Sequence, residues 1–103
     1  MMNQDTTPSH ARRLLPRFPL GLLHATPGAS AVLDGHPDII TTMLARHSFG
    51  NWGDLCDDDK QTNDMALQHG GRIFSVYIEL DTKFYVITEA DRSSTCILLP
   101  SEY

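Results

Sequence analysis

The stretch from Arg72 to Tyr103 constrains this chain most, because its apolar residues alternate and its breaks fall at turn-forming residues. Phe74, Val76 and Ile78 lie on one side of an extended chain, with Ser75, Tyr77 and Glu79 on the other. After a tight turn at Leu80-Asp81-Thr82, Phe84, Val86 and Thr88 oppose Tyr85 and Ile87. A second, charged turn, Glu89-Ala90-Asp91-Arg92, leads into Thr95, Ile97 and Leu99 alternating with Cys96 and Leu98. Successive side chains of a strand point to opposite faces, so this pattern predicts an antiparallel meander of three strands. Both faces carry apolar residues, so both need cover: helices on one side, the N-terminal arm or a partner over part of the other.

Upstream, the period changes. Phe18–Ala25 reads as a first strand, and Pro19, which has no N–H for a ladder, suits it to an edge. Thr26-Pro27-Gly28 is a helix start, with a hydroxyl to cap and a proline where no hydrogen bond is lost. That short helix runs to Leu33 and stops at Gly35. His36-Pro37-Asp38 starts a second helix, whose apolar stripe is Ile40, Met43, Leu44 and His47. A third runs from a cap at Asp57 or Asp58, with Gln61 as capping-box partner of Asp58, to about His69 and the stop at Gly70-Gly71. The order β-α-α-α-β-β-β predicts a single small α+β domain over residues 18–103, with helices on one face of a four-stranded, mainly antiparallel sheet. Residues 1–17, polar and broken by Pro8 and Pro16, read as a flexible arm.

Composition narrows the function classes. The 103 residues carry a net charge of −5, divided unevenly: residues 1–17 hold Arg12, Arg13 and Arg17 against Asp5, leaving 12 acids against 5 bases in the rest. An acidic body argues against nucleic acid as a partner, since phosphate binding needs clustered Lys and Arg. No apolar run is long enough to span a membrane, and prolines interrupt the region after Arg13 where a signal peptide would need its apolar core. Cys56 and Cys96 form neither a CxxC pair nor a disulfide framework, which points to reduced thiols and the cytoplasm.

Few side chains read as a site. Asp54 and Asp57-Asp58-Asp59 crowd one segment around Trp52, yet an EF-hand started at Asp57 would have Thr62 where glycine belongs and Gln68 where the bidentate glutamate belongs. The acids suit a helix N-terminus. His24, His36 and His69 lack zinc spacing, and no Gly-rich phosphate loop or dinucleotide fingerprint occurs, so no metal and no cofactor is expected. His47 could serve as a general base oriented by Asp54 or Glu89, or close its helix as a half-buried residue. Trp52 offers either a core anchor or an interface residue. Glu89, Asp91 and Arg92 share one turn, a place where recognition residues are commonly presented.

Asn51-Trp52-Gly53-Asp54-Leu55 with Asp59-Lys60 and Asn63, Gly71-Arg72-Ile73 with Ser75 and Tyr77, and Ile87 to Ser93 continuing through Ile97-Leu98-Leu99-Pro100 to Glu102-Tyr103 form a recognisable set, together with Thr26-Pro27-Gly28-Ala29. Over about residues 18–103 the chain resembles a family of small uncharacterised proteins from proteobacterial plasmids and integrating elements, sometimes labelled plasmid-related proteins. The resemblance implies a genomic setting and no activity, so no catalytic residue is carried over. It makes Glu89 to Ser93 the first choice for a contact surface. Two readings follow. One is a mobile-element accessory protein that acts by binding another protein through Trp52, Asp54, Glu89, Asp91 and Arg92, with pairing of two copies left open. The other is a small hydrolase or nuclease-like enzyme that uses His47 with the acidic cluster.

Overall fold

A computed structural model of the chain describes residues 15–103. The elements run β1 (Leu22–Ala25), α1 (Pro27–Leu33), α2 (Pro37–Ser48), α3 (Asp57–His69), β2 (Ile73–Glu79), β3 (Thr82–Thr88) and β4 (Ser94–Leu98), with a 3-10 turn at Pro100–Glu102. The four strands form one sheet in the order β1-β4-β3-β2. β2, β3 and β4 are the antiparallel meander, and β1 joins β4 in parallel. The fold is therefore α+β in the expected element order. The expected arm at residues 1–17 falls mostly outside the described residues.

Local chemistry explains most boundaries. The Thr26 side chain accepts the Ala29 N–H and Pro27 takes the first helical position, as a helix start requires. α2 places Asp38 in its first turn and Arg46 in its last, each complementing the helix dipole. The β2–β3 hairpin turns on Leu80 and Asp81, both at positive φ (52° and 54°), which matches the twist of the flanking strands.

Two boundaries differ from the sequence reading. The first strand is half the expected length, because Gly21 sits at φ +66° against the Ser93 carbonyl and breaks the extended run. Phe18 is freed from the ladder and its ring goes into the core, 7% exposed. The N-cap of α3 is Cys56, with no side-chain cap bond. Asp57, Asp58 and Asp59 all lie inside the first turn, where they favour the helix dipole without capping it.

Register decides which faces are covered. Ser75 pairs with Val86 and Tyr77 with Phe84, while Val86 pairs with Ile97 and Thr88 with Thr95. Those residues share the helix-side face. Ala29, Leu33 and Met43 pack there against Tyr77, Phe84, Val86 and Ile97. A second cluster joins Phe18, Trp52, Ala66 and Ile73. On the far face Val76, Ile87 and Leu98 are nonetheless buried. The C-terminal segment contributes cover there, with Tyr103 packed on Phe74 and Tyr85 at ring distances of 6.2 and 5.9 Å.

Candidate functional site

His47 lies at the centre of the molecule and is fully buried. Its Nδ1 is 2.6 Å from Ser75 Oγ and its Nε2 is 2.9 Å from Thr88 Oγ1. Thr88 Oγ1 is 2.6 Å from Thr95 Oγ1, which donates to the Leu20 carbonyl at 2.7 Å. A carbonyl only accepts, so the proton of Thr95 is committed to Leu20. Thr88 must then donate to Thr95 and accept from His47, which assigns the proton to Nε2. Nδ1 is left to accept from Ser75. Phe18 and Trp52 set their rings edge-on to the imidazole at 5.2 and 6.1 Å. Burial, with the Arg92 guanidinium adding to it, pushes the His47 pKa down to about 3.

This arrangement answers the general-base expectation. A general base must reach a substrate proton and titrate near the working pH. His47 does neither, and hydroxyls occupy both its nitrogens where Asp54 or Glu89 was expected. It is a structural histidine that ties α2 to β2 and β3 and, through Thr88, to β4.

Trp52 is also interior, at 4% exposure, with its Nε1 donating to Asp64 Oδ1 at 3.1 Å. Its ring area belongs to the core, so it is withdrawn from the surface on which interface binding would use it. Asp54 is exposed, at the edge of β2, where its N–H donates to the Val76 carbonyl at 2.7 Å. Among the described residues, no three His, Cys, Asp or Glu side chains converge as a metal-binding group.

The charged turn is built more firmly than its sequence suggests. Arg92 adopts φ 62°, which is uncommon outside glycine and asparagine. Its side chain folds back beneath the turn. Nη1 donates to the carbonyls of Gly71 (2.6 Å), Glu89 (3.0 Å) and Ala90 (3.1 Å), and Nη2 to that of Ala66 (3.1 Å). The guanidinium lies 5.7 Å over the Phe18 ring. A cation is thereby held against the last carbonyls of α3, where the helix dipole favours it. Arg92 is a clamp, and Glu89 and Asp91 are what the turn presents to solvent. The Ser93 hydroxyl and N–H hold the Asp91 carboxyl below its ordinary range.

Beside the turn lies a group that sequence reasoning did not single out as a site. Arg72 Nε is 3.7 Å from Glu89 Oε1, and its guanidinium lies 5.9 Å from the centre of the Tyr103 ring. Tyr103, 70% exposed, packs edge-on against Phe74 and Tyr85, whose own rings are 4.7 Å apart. Arg72 and Phe74 also line a recess of about 270 Å³ with Leu55, Asp59 and Asn63. Strand alternation placed Phe74 on a face, but Tyr103 joins it across 29 positions of chain, which no local pattern reports.

No family model, curated protein or solved structure matches the chain. The site therefore rests on its own geometry. That geometry groups Glu89 with Arg72, Phe74, Tyr85 and Tyr103, and Asp91 stands exposed on the same turn as Glu89, while Trp52 and His47 are interior.

The start of α1, whose free N–H groups could attract an anion, is already filled by a carboxylate of the chain itself. Glu102 accepts the Thr26 hydroxyl, the Gly28 N–H at 2.8 Å and the Leu99 N–H at 3.1 Å. The Thr26 bond is the main cause holding the Glu102 carboxyl below its usual range. A Cβ at Gly28 would come within 2.7 Å of that carboxylate, so the glycine admits it.

Proposed function

We propose that this protein is an interaction module whose contact surface is the corner formed by Arg72, Phe74, Tyr85, Glu89, Asp91 and Tyr103. The observation that carries this reading is the exposed Tyr103 ring, held by two aromatic neighbours and by the Arg72 guanidinium. Tyrosine and arginine supply large contact area with a polar end, and they dominate binding energy at protein interfaces. Here both are pre-positioned, which lowers the ordering cost of association. Glu89 and Asp91 on a clamped turn add a fixed acidic rim, which favours a protein partner with exposed Lys or Arg. The resemblance to plasmid-related proteins makes a mobile-element accessory role in the bacterial cytoplasm the natural setting.

The test is quantitative affinity capture from a bacterial host extract, with the wild-type chain compared against Arg72→Glu, Tyr103→Ala and the remote surface variant Asp38→Ala. A partner that uses this corner is recovered by wild type and Asp38→Ala, and falls by roughly tenfold or more with the other two. Recovery of the same proteins at the same levels by all four chains shows that this corner is not the contact surface. His47 has no free ring nitrogen for a hydrolytic role, since both are engaged by buried hydroxyls.

A further inference from the structure

The two edges of the sheet are finished differently. On β2 the outward groups of Phe74 are satisfied by one side chain: Asn63 Nδ2 donates to the Phe74 carbonyl at 2.7 Å, and the Phe74 N–H donates to Asn63 Oδ1 at 3.0 Å. The outward groups of Val76 bond to the Trp52 carbonyl and the Asp54 N–H. A side chain and a loop thus close that edge at Phe74 and Val76, leaving only its end at Ile78 exposed, a common protection against strand addition.

Among the described residues the β1 edge is open. Leu22 and Thr26 send their N–H groups to Ser93 and Ile97 beside β4, so the alternate residues, Leu23 and Ala25, point their backbone groups outward. Among the described residues β1 pairs with β4 alone. All four of its residues are exposed, Leu22 at 70% and Leu23 at 56%. Next to this edge a recess of about 280 Å³ is lined by Ala25, Leu33, Pro37 and Ile40 among others.

We propose that two copies of this chain associate through β1, antiparallel about a twofold axis at His24, with Leu23 of each copy placed at the recess beside Ala25 of the other. In that register Leu23 faces Ala25 of the second copy and exchanges both backbone hydrogen bonds with it, and the symmetry repeats the exchange. Leu23 and Ala25 pair with Thr95 and Ile97 and so lie on the helix-side face, where the recess is. The exposed leucine and the apolar recess are thus one residue pair apart on the same strand, which makes the edge self-complementary.

Charge favours the same occupant. Leu22-Leu23-His24-Ala25 contains no acid and no Lys or Arg, so the paired strands of a chain with net charge −5 set no fixed charges against each other, and the one acid of the recess, Asp34, meets the apolar Leu23. The closed β2 edge prevents β1 from adding to it, so association stops at two copies and does not grow into fibres. A four-residue strand pair buries far less than the roughly 1,600 Å² of a standard interface, so the dimer is expected to be weak and to form only at high protein concentration. This proposal is independent of the Arg72–Tyr103 corner, and it concerns purified protein alone.

The test has two arms on the full chain. Sedimentation equilibrium is expected to show a monomer at about 1 µM and substantial dimer near about 1 mM, with Leu23→Asp weakening association by roughly tenfold while the circular-dichroism melt is retained. In a Cys56→Ser, Cys96→Ser background, His24→Cys places two thiols on the axis and Ile78→Cys places one on the exposed part of the other edge. Diamide oxidation should join the His24→Cys copies at least about tenfold faster than the Ile78→Cys copies, because pairing raises the effective concentration of the thiols. A wild-type chain that stays monomeric at about 1 mM overturns the proposal, as do equal cross-linking rates at the two positions.

Discussion

His47 shows how one buried side chain sets a pH limit on the fold. The unfolded imidazole takes a proton near its ordinary 6.5, whereas the folded one resists protonation down to about 3. Between those values the unfolded state binds more protons, so stability is complete above about pH 6.5 and drains as the pH falls toward 3. The slope contributed by this group is about 1.4 kcal/mol per pH unit. Urea denaturation across pH 3.5 to 7 should show it, and His47→Gln should start lower at neutral pH and lack that component of the slope. An unchanged slope in His47→Gln would remove His47 as its source. The i, i+3, i+4, i+7 stripe already placed this histidine on the buried face of α2. Its hydroxyl partners could not be read, because Ser75 and Thr88 stand 28 and 41 positions away.

At the scale of elements, the turn between β3 and β4 and the end of α3 are one unit, joined by Arg92. Four carbonyls converge on its guanidinium, and hydrogen bonds to a charged donor contribute about 1.5–3 kcal/mol when one partner is removed. Arg92→Ala is therefore expected to cost about 2–3 kcal/mol, measured as a shift in urea midpoint at constant slope. Faster amide exchange at Gly70 and Arg92 should accompany it, since both N–H groups bond within the clamped segment. A loss below about 0.5 kcal/mol would mean that the clamp is a surface contact of little weight. The turn itself was legible from Glu89-Ala90-Asp91-Arg92. The direction of Arg92 was not, because turn chemistry specifies the backbone, whereas two of the four carbonyls that hold the side chain, those of Gly71 and Ala66, lie just past and at a helix end 21 and 26 residues earlier.

For the whole molecule, the helices share one face of the sheet and the His47 line of hydroxyls runs between the two apolar clusters. Trp52 reports on one cluster and the backbone signal on all elements, so fluorescence and far-UV circular dichroism should give coincident unfolding curves. Separate midpoints would show that the Phe18–Trp52 cluster melts on its own. By itself the sequence determined the element order, the helix starts at Thr26 and Pro37, and the alternation of β2, β3 and β4, because caps, turns and periodicity act over a few residues. Only the tertiary structure decided that β1 lies beside β4, that Phe18 and Trp52 are interior, and that Tyr103 reaches Phe74. It also decided that the Ser75–Tyr77 side of β2 is the one facing the helices. Strand alternation separates two faces without saying which is covered. That choice is made where Ser75, Thr88 and Thr95 find partners for buried polar groups, and those partners come from distant parts of the chain.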